Sequence, residues 1–594
     1  MPVYRLLLGC LLLVQTSMLG AADADLEWQH DDRAAFAQAG SERRFVLLYL
    51  EAVWCHWCHV MDHQTYADPS VRRLIDAHYV PLRIDQDSRP DLANRYRDYG
   101  WPATIVLAAD GTEIVKRAGY IAPENFARLL QAIVDDPSPE QGNPRQSGAA
   151  VAVSGQLTAE LRAELQARHL QHHDRQLGGL DQGLKFVDRD SVEWSLALAA
   201  AGDAVQGERA EQTLTAGLAL LDPVWGGFYQ YSTHSDWQHP HFEKLTTLQG
   251  DYLRIYALGC AQLREPEFCA AAGSVRDYAA RFLRDPAGGY RASQDADLRP
   301  GEHSAEFFAL DDGGRRALGV PRVAPQVYAR ETGAMIEGLA TLAEATGDPS
   351  ALAAAREAAH WAIRERLRAD GHYAHDAHDA DDADDAAGPY LGDSLRMSRA
   401  FLALYRASGE RTWLQRAHEA MRPIERFKLD LGYATAVKGD TPIAPVASVE
   451  ENIALARHAN LLMHYSGDTT LRAVAEHALA YLAQSSVALQ TLTEPGILLV
   501  DRELANAPLH LTVVGARDDP HAALLYRAAL AQPGYYKRVE WWDRAEGPLP
   551  HADVEYPKLR KAAAFVCTER QCSTPIFEPQ GIADFLTVTE APPL

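Results

Sequence analysis

"VLLYLEAVWCHWCHVMDHQTY", residues 46–66, decides how the first part of this chain folds. A short apolar run ends in two cysteines two residues apart, and a histidine follows the second. Three chemistries use such a string: a redox dithiol, a haem-attachment box, or half of a zinc site. The flanks discriminate between them. "RFVLLYLEA" reads as a buried strand, and "HVMDHQTYADPSVRRLIDAHY" reads as a helix interrupted at Asp68-Pro69. Strand into dithiol into helix places Cys55 at a helix N-terminus, where unpaired N–H groups and the dipole favour a thiolate. The thiolate is the species that attacks a disulfide, and Cys58, one turn later, is placed to resolve the mixed disulfide. A haem box normally ends a helix, whereas this one begins one. Zinc held by Cys55, Cys58, His59 and His63 would need a second ligand-bearing segment, and no second cluster lies nearby in the sequence. An inert disulfide on the same fold is the remaining alternative.

Outward from the dithiol, "VPLRID" is a second strand and "RPDLANRYRDYG" a helix stopped by Gly100. "PATIVLAADG" and "EIVKRAG" are strands joined at an Asp-Gly turn, and "APENFARLLQAIV" is an amphipathic helix. The order over residues 41–137 is β-α-β-α-β-β-α. Trp101-Pro102 is a candidate cis peptide whose backbone would serve an extended substrate. Trp54 and Trp57 are expected to give the rim an apolar surface, and His56 adds positive charge when protonated. The expected site is therefore Cys55 and Cys58 for the chemistry, with Trp54, Trp57, Trp101 and Pro102 binding substrate.

These residues carry a resemblance. "YLEAVWCHWCH", "GWPATIVLAADG" and "AGYIAPENFARLL" look like a thioredoxin domain. "WCHWCHVMDHQTYADPSV" resembles the periplasmic C-terminal domain of DsbD-type reductases. It also resembles the thioredoxin-like domain of the WCHWCH family, which takes in YyaL-like proteins and a spermatogenesis-associated thioredoxin-like protein. One departure stands out: thioredoxin has a buried acid six residues before its first cysteine, and here Tyr49 holds that place. Glu51 is close but on the other strand face.

The chain has 594 residues and a net charge of -24, which argues against nucleic acid or an anionic membrane as the main partner. Residues 1–22 read as an export signal: Arg5, the apolar core "LLLGCLLLV" with Cys10 inside it, then small residues before cleavage after Ala22 or Ala24. That run is shorter than the ~20 residues a spanning helix needs, so a secreted or periplasmic protein with no stable membrane insertion is expected. Six cysteines remain, an even set in an oxidising compartment, and their pairing is not fixed by the sequence.

The thioredoxin-like domain is placed at 25–137 and a linker at 138–150, "SPEQGNPRQSGAA". From 151 to 495 strands vanish and amphipathic helices follow one another. Six glycine turns recur: "LGGL" at 177–180, "WGGFY" at 225–229, "GGY" at 288–290, "DGHY" at 370–373, "LGY" at 431–433 and "PGI" at 495–497. They predict six helical hairpins closed into an all-α (α/α)6 toroid, six-hairpin glycosidase-like; an open solenoid is the alternative. Residues 496–594 read as a small C-terminal α/β appendage.

The WCHWCH resemblance extends over "LGGLDQGLKF", "GGFYQYSTHSDWQHPHFEK", "GGYRASQDAD", "EFFALD" and "AAAFVCTERQCSTPI". At fold level the helical part is also similar to N-acylglucosamine 2-epimerases and six-hairpin glycosidases, which implies a carbohydrate-active alternative. "HPHFEK" supplies His239, His241, Glu243 and Lys244, with His241 and Glu243 as an acid–base pair. Asp295, Asp297, Glu306 and Asp393 are carboxylates for the same mouth. Against this, the family's "HFEKMLYD" is "HFEKLTTL" here, "KFPHP" is "KFVDR" and "WNG" is "ETG". The same residues also read as helix caps and loop pins. "DAHDADDADDA" (376–386) lacks EF-hand spacing and reads as a solvated loop. Cys260 with Cys269, and Cys567 with Cys572, are spaced for local disulfides.

The sequence thus predicts an exported thioredoxin-like thiol–disulfide oxidoreductase acting on a protein disulfide or dithiol. The barrel would select substrate or partner. Alternatives are a carbohydrate-active enzyme with a sugar ligand in the barrel, or a non-catalytic binding protein. No cofactor and no metal are expected.

Overall fold

A computed structural model describes residues 26–140, 156–377, 388–568 and 571–588. The export signal with Cys10, nearly all of the linker and most of the acidic run lie outside them.

The first domain begins with a helix the periodicity did not predict, α1 (Asp32–Glu42), capped by the Asp31 carboxylate accepting from the Ala34 N–H. Strand β1 (Phe45–Glu51) follows, buried at every position but its first. Helices α2 (His56–Gln64) and α3 (Pro69–His78) are separated as expected, because Asp68 caps the second and Pro69 opens it. Then come β2 (Tyr79–Asp85), α4 (Pro90–Tyr96), β3 (Ala103–Leu107), β4 (Glu113–Ala118) and α5 (Pro123–Asp135). The sheet order is β2-β1-β3-β4, with β1 parallel to β2 and antiparallel to β3. This is the thioredoxin arrangement. Trp101-Pro102, just before β3, is cis.

The helical part opens with α6 (Ala159–Gln171), α7 (Arg189–Ala200) and α8 (Ala204–Gly217). Two short ribbons surround the next long helices: β5 (Tyr231–Ser232) pairs with β6 (Pro240–His241), and β7 (Lys244–Leu245) pairs with β8 (Ser293–Gln294). Between β7 and β8 lie α9 (Thr246–Leu263) and α10 (Pro266–Tyr278). After β8 come α11 (Ala305–Phe308), α12 (Asp312–Leu318), α13 (Ala329–Thr346) and α14 (Pro349–Glu365). The chain continues with α15 (Leu391–Ser408), α16 (Arg411–Met421), α17 (Val449–Ser466), α18 (Thr470–Leu482), α19 (Ser485–Ala488) and α20 (Pro495–Ala505).

The inner ring is α7, α9, α13, α15, α17 and α20, each packed on the next, and α20 returns to α7. The toroid is therefore closed. Outer helices α8, α10, α14, α16 and α18 each pack on the inner helix before them. The sixth pair is not a hairpin: α20 packs on α6, from the opposite end of the segment.

Five of the six glycine turns occur as expected, each pinned by a short antiparallel bridge such as Leu221 to Phe228 and Arg284 to Tyr290. Gly226 and Gly227 sit at φ +76° and +74°, and a Cβ on Gly227 would stand 2.5 Å from the Tyr278 ring. The sixth is corrected. "PGI" is no turn, because Pro495 is the first residue of α20, where its missing N–H costs nothing. The barrel accordingly runs to Ala505 rather than to 495.

The C-terminal region is a three-stranded sheet, β9 (Leu509–Val514) flanked by parallel β10 (Lys537–Trp542) and antiparallel β11 (Ala563–Cys567). Helix α21 (Pro520–Leu530) connects β9 to β10, and α22 (Gln580–Val588) follows β11. The sheet lies against the C-terminal ends of the inner helices: the Tyr526 hydroxyl, for example, donates to the Arg406 carbonyl in α15. The thioredoxin-like domain covers the other end. His375, Ala296, Thr435 and Glu450 meet Asp87, Trp54, Asn94 and Arg97 respectively. Both mouths of the ring are occupied by the chain's own α/β domains. Among the described residues no helix is long and apolar enough to cross a membrane.

Candidate functional site

Cys55 is the N-cap of α2, and its Sγ accepts a hydrogen bond from the Cys58 N–H at 3.2 Å. The two cysteines form a disulfide. Two further disulfides, Cys260–Cys269 and Cys567–Cys572, pair the other four. With both sulfurs of the first pair bonded to each other, the zinc set of Cys55, Cys58, His59 and His63 is not formed. The Tyr49 hydroxyl, standing where thioredoxin has its acid, donates to the Cys58 carbonyl at 3.1 Å. Glu51 pairs with Arg83 instead.

The dithiol is covered by the barrel. Cys55 is 4% exposed and Cys58 0%, with Leu245 packed against them. Trp54, expected on an open rim, is only 3% exposed. Its indole N–H donates to an Asp87 carboxylate oxygen at 2.7 Å, and its carbonyl accepts from the Ala296 N–H at 3.4 Å. Trp57 does stay on the surface at 44%. Trp101 packs beside the dithiol, and Pro102 is buried.

A two-stranded ribbon explains how the barrel presents itself. In β7–β8, Lys244 pairs with Gln294 and Leu245 with Ser293. Side chains alternate across a ribbon. Lys244 and Gln294 turn into the barrel, where the ammonium donates to Asp222 at 2.8 Å and the amide oxygen accepts from the Tyr278 hydroxyl at 2.9 Å. Glu243, Leu245, Ser293, Asp295 and Asp297 fall on the other parity, toward the dithiol.

Of the residues offered for a sugar site, Glu243, Asp295 and Asp297 are thus set on the ribbon face at the domain junction. Asp297 lies 2.9 Å from His56 Nδ1 and 3.1 Å from His59 Nδ1. Asp295 lies 3.7 Å from His59 Nε2. Glu243 Oε2 is buried without a hydrogen-bond partner among the described residues, 3.9 Å from His241 Nδ1. His241 stacks on Tyr231 with ring centroids 4.4 Å apart. Asp393 pairs with His375 at 2.9 Å, and His375 Nε2 reaches the Asp87 carbonyl at 2.7 Å. Glu306 lies on the short α11.

The electrostatics follow from this packing. Burial pushes the Asp295 carboxyl up to about 6, eased by the His59 charge and the hydrogen bond from the Asp297 N–H. Burial also acts on Asp297, but hydrogen bonds from His56 and His59 bring it down to about 2. For His59, burial opposes the charge, and Asp297 and Asp295 outweigh it to raise the imidazole. For His375, burial is likewise outweighed by Asp393, which lifts it to about 9. Burial, then the Glu331 charge, raises Asp87 to about 6. His59, Asp295 and Asp297 bring one ligand-type atom each to within 4.8 Å of one another.

The barrel axis is filled differently. Asp251 pairs with Arg189 and Arg396, Glu337 with Arg399, and Glu193 with Arg254 and Arg457. The sequence reading missed this network. Its signal was arginine and carboxylate recurring on the apolar inner helices, where a solvated face would not be expected.

Fold and site together define a thioredoxin-like domain with a Cys-x-x-Cys disulfide, docked on a closed helical barrel. Residues 14–138 match the family model Thioredox_DsbH, described as a protein of unknown function, DUF255. The uncharacterized protein B0495.5 of Caenorhabditis elegans is 22% identical over 322 residues, covering 48% of this chain and 44% of the relative. Spermatogenesis-associated protein 20 of Homo sapiens is 25% identical over 311 residues, 46% of this chain and 39% of the relative. The matched stretch spans less than half the length of these relatives. The WCHWCH kinship read from the sequence stands on these matches. Among solved structures, the cellobiose 2-epimerase of Spirochaeta thermophila aligns at TM-score 0.43 and 15% identity, over 58% of this chain and 97% of that one. A thioredoxin from Thermus thermophilus aligns at TM-score 0.18 and 25% identity, over 21% of this chain and all of its own.

Proposed function

We propose that this chain is an exported thioredoxin-like thiol–disulfide oxidoreductase whose Cys55–Cys58 pair exchanges with the disulfide or dithiol of another protein. The observation that carries the reading is Cys55 Sγ at the N-cap of α2, accepting the Cys58 N–H. A sulfur so placed gains from the helix dipole as a thiolate and is the better attacking group. His56 stands beside it as a further cationic partner when protonated.

In the reducing direction, the Cys55 thiolate attacks one sulfur of the substrate disulfide and expels the other as a thiolate. Cys58, once deprotonated, attacks Cys55 Sγ and releases the second substrate thiol. The substrate gains two electrons, and the chain keeps the Cys55–Cys58 disulfide until an external dithiol reduces it. The reverse sequence oxidises a substrate dithiol. The barrel is the gate: a protein substrate reaches Cys55 only when Asp297 releases His56 and His59 and the domains part. Three disulfides in one chain suit an oxidising compartment.

Insulin reduction by the full chain tests this. Wild type is expected to be active, Cys55→Ala inactive, and Cys58→Ala to accumulate a mixed disulfide with its partner in the native compartment. Equal rates for wild type and Cys55→Ala refute the proposal. His241→Ala is the control on the barrel, since loss of function there with the dithiol intact moves the chemistry to the ring.

A further inference from the structure

The ribbon face turned toward the dithiol carries three carboxylates, Glu243, Asp295 and Asp297, all buried. Their ion pairs among the described residues are with imidazoles alone: His241 for Glu243, His59 for Asp295, His56 and His59 for Asp297. Lysine and arginine, which serve the buried carboxylates of the barrel axis, are absent from these pairs, as they are from Asp393, which pairs with His375. Lys244, next in sequence to Glu243, points to the opposite ribbon face and is spent on Asp222. Histidine with carboxylates is a ligand set for first-row divalent cations, whereas arginine is not.

The supporting contacts have the form expected around a metal. A ligating imidazole usually holds its second ring nitrogen on a backbone carbonyl or a carboxylate. His59 offers Nδ1 toward Asp297, and its Nε2 lies 3.3 Å from the Val53 carbonyl and 3.7 Å from Asp295. The carboxylates are also braced: Asp297 accepts the Gly301 N–H at 2.8 Å, and Asp295 accepts the Asp297 N–H at 2.9 Å. A second, independent observation points to a ligand. Glu243 is only 3% exposed, shares the ribbon face of Asp295, and leaves Oε2 without a hydrogen bond. A buried ionisable oxygen with no hydrogen bond, and with His241 at 3.9 Å as its ion-pair contact among the described residues, is costly to keep charged.

We propose that His59, Asp295 and Asp297 bind one first-row divalent cation at the domain junction, with Glu243 as its neighbouring carboxylate. This goes against the expectation from sequence that no metal is held. The ligands come from α2 on one side and the loop after β8 on the other, so the ion would tie the two domains together. The inference is independent of exchange activity, because the sulfurs are bonded to each other and take no part.

The test uses the full oxidised chain, stripped with a chelator and then titrated calorimetrically with Zn²⁺ and with Mn²⁺. One equivalent is expected to bind, and the thermal midpoint is expected to rise with free metal as for any ligand of the folded state. Asp295→Asn and Asp297→Asn should each weaken binding by more than about tenfold. Cobalt substitution of the wild type should give d–d bands with no thiolate-to-cobalt charge transfer, and this reading does not depend on the variants folding. Substoichiometric zinc, unchanged affinity in the folded Asp295→Asn variant, or a thiolate band would each overturn the site.

Discussion

Two buried sets of carboxylates lie in this molecule, one along the barrel axis and one where the barrel meets the dithiol. In the axis, Glu193 takes two hydrogen bonds from Arg254 and one from Arg457, and Asp251 is bonded by Arg189 and Arg396. At the junction the partners are His56, His59 and His375. Guanidinium stays charged at any pH a protein survives and forms forked bonds, so the axis is a permanent brace. Imidazole changes charge near neutrality and ligates metals, so the junction is adjustable. Fixed pairs hold the ring, and variable pairs hold the lid.

The largest expected effect comes from breaking the fixed set. Glu193→Ala leaves the half-buried Arg254 and Arg457 with their main counter-charge gone, and should cost about 3 kcal/mol. Urea unfolding followed by barrel tryptophan fluorescence measures it. A loss under about 1 kcal/mol would put the axis charges in the class of exposed pairs and erase the contrast.

A smaller effect should come from pH. His375 sits at about 9 in the folded chain against ~6.5 unfolded, because Asp393 outweighs burial. Its contribution is complete below pH ~6.5 and is lost as pH rises through 9, a change of at most about 3 kcal/mol. Midpoints of unfolding across that window should fall in wild type and stay flatter in His375→Gln. Parallel curves would remove His375 from the junction's electrostatics.

The smallest change in stability is expected for Asp297→Asn in metal-free protein, about 1–2 kcal/mol for two weakened pairs, His56 and His59. Its effect on access should be disproportionate. After reduction, Cys55 should react faster with a small alkylating agent than in wild type, while Glu193→Ala, if folded, should not share the gain. Equal alkylation rates in wild type and Asp297→Asn would mean that Asp297 does not hold the lid.

The individual domains were legible in the sequence, and their mutual arrangement was not. Cys55 and Cys58 between a strand and a helix specify the thioredoxin site locally, and glycine pairs such as Gly226-Gly227 mark chain reversals by themselves. Helix α1 was missed although Asp31 is an evident cap, because its apolar stripe is short: Ala35, Phe36 and Ala39. Glu243, Asp295 and Asp297 were read together, either as a sugar mouth or as helix caps and loop pins. Alternation in "FEKL" and "SQDAD" already separates Glu243, Asp295 and Asp297 from Lys244 and Gln294. What no local pattern reveals is that the outward face meets another domain. Trp54 was misplaced for the same reason: an apolar rim residue and a buried interface residue read alike.

The seam between α20 and α7 has a consequence for how this chain tolerates rearrangement. A circle completed by its two ends has no dispensable terminus: shortening the barrel segment from either side removes a stave and exposes the apolar flanks of both neighbours. Ends that already adjoin are, however, the ends that a short peptide can join. New termini opened at a surface turn, with the old pair fused across the seam, should leave the hoop whole, whereas simple deletion of α20 should not.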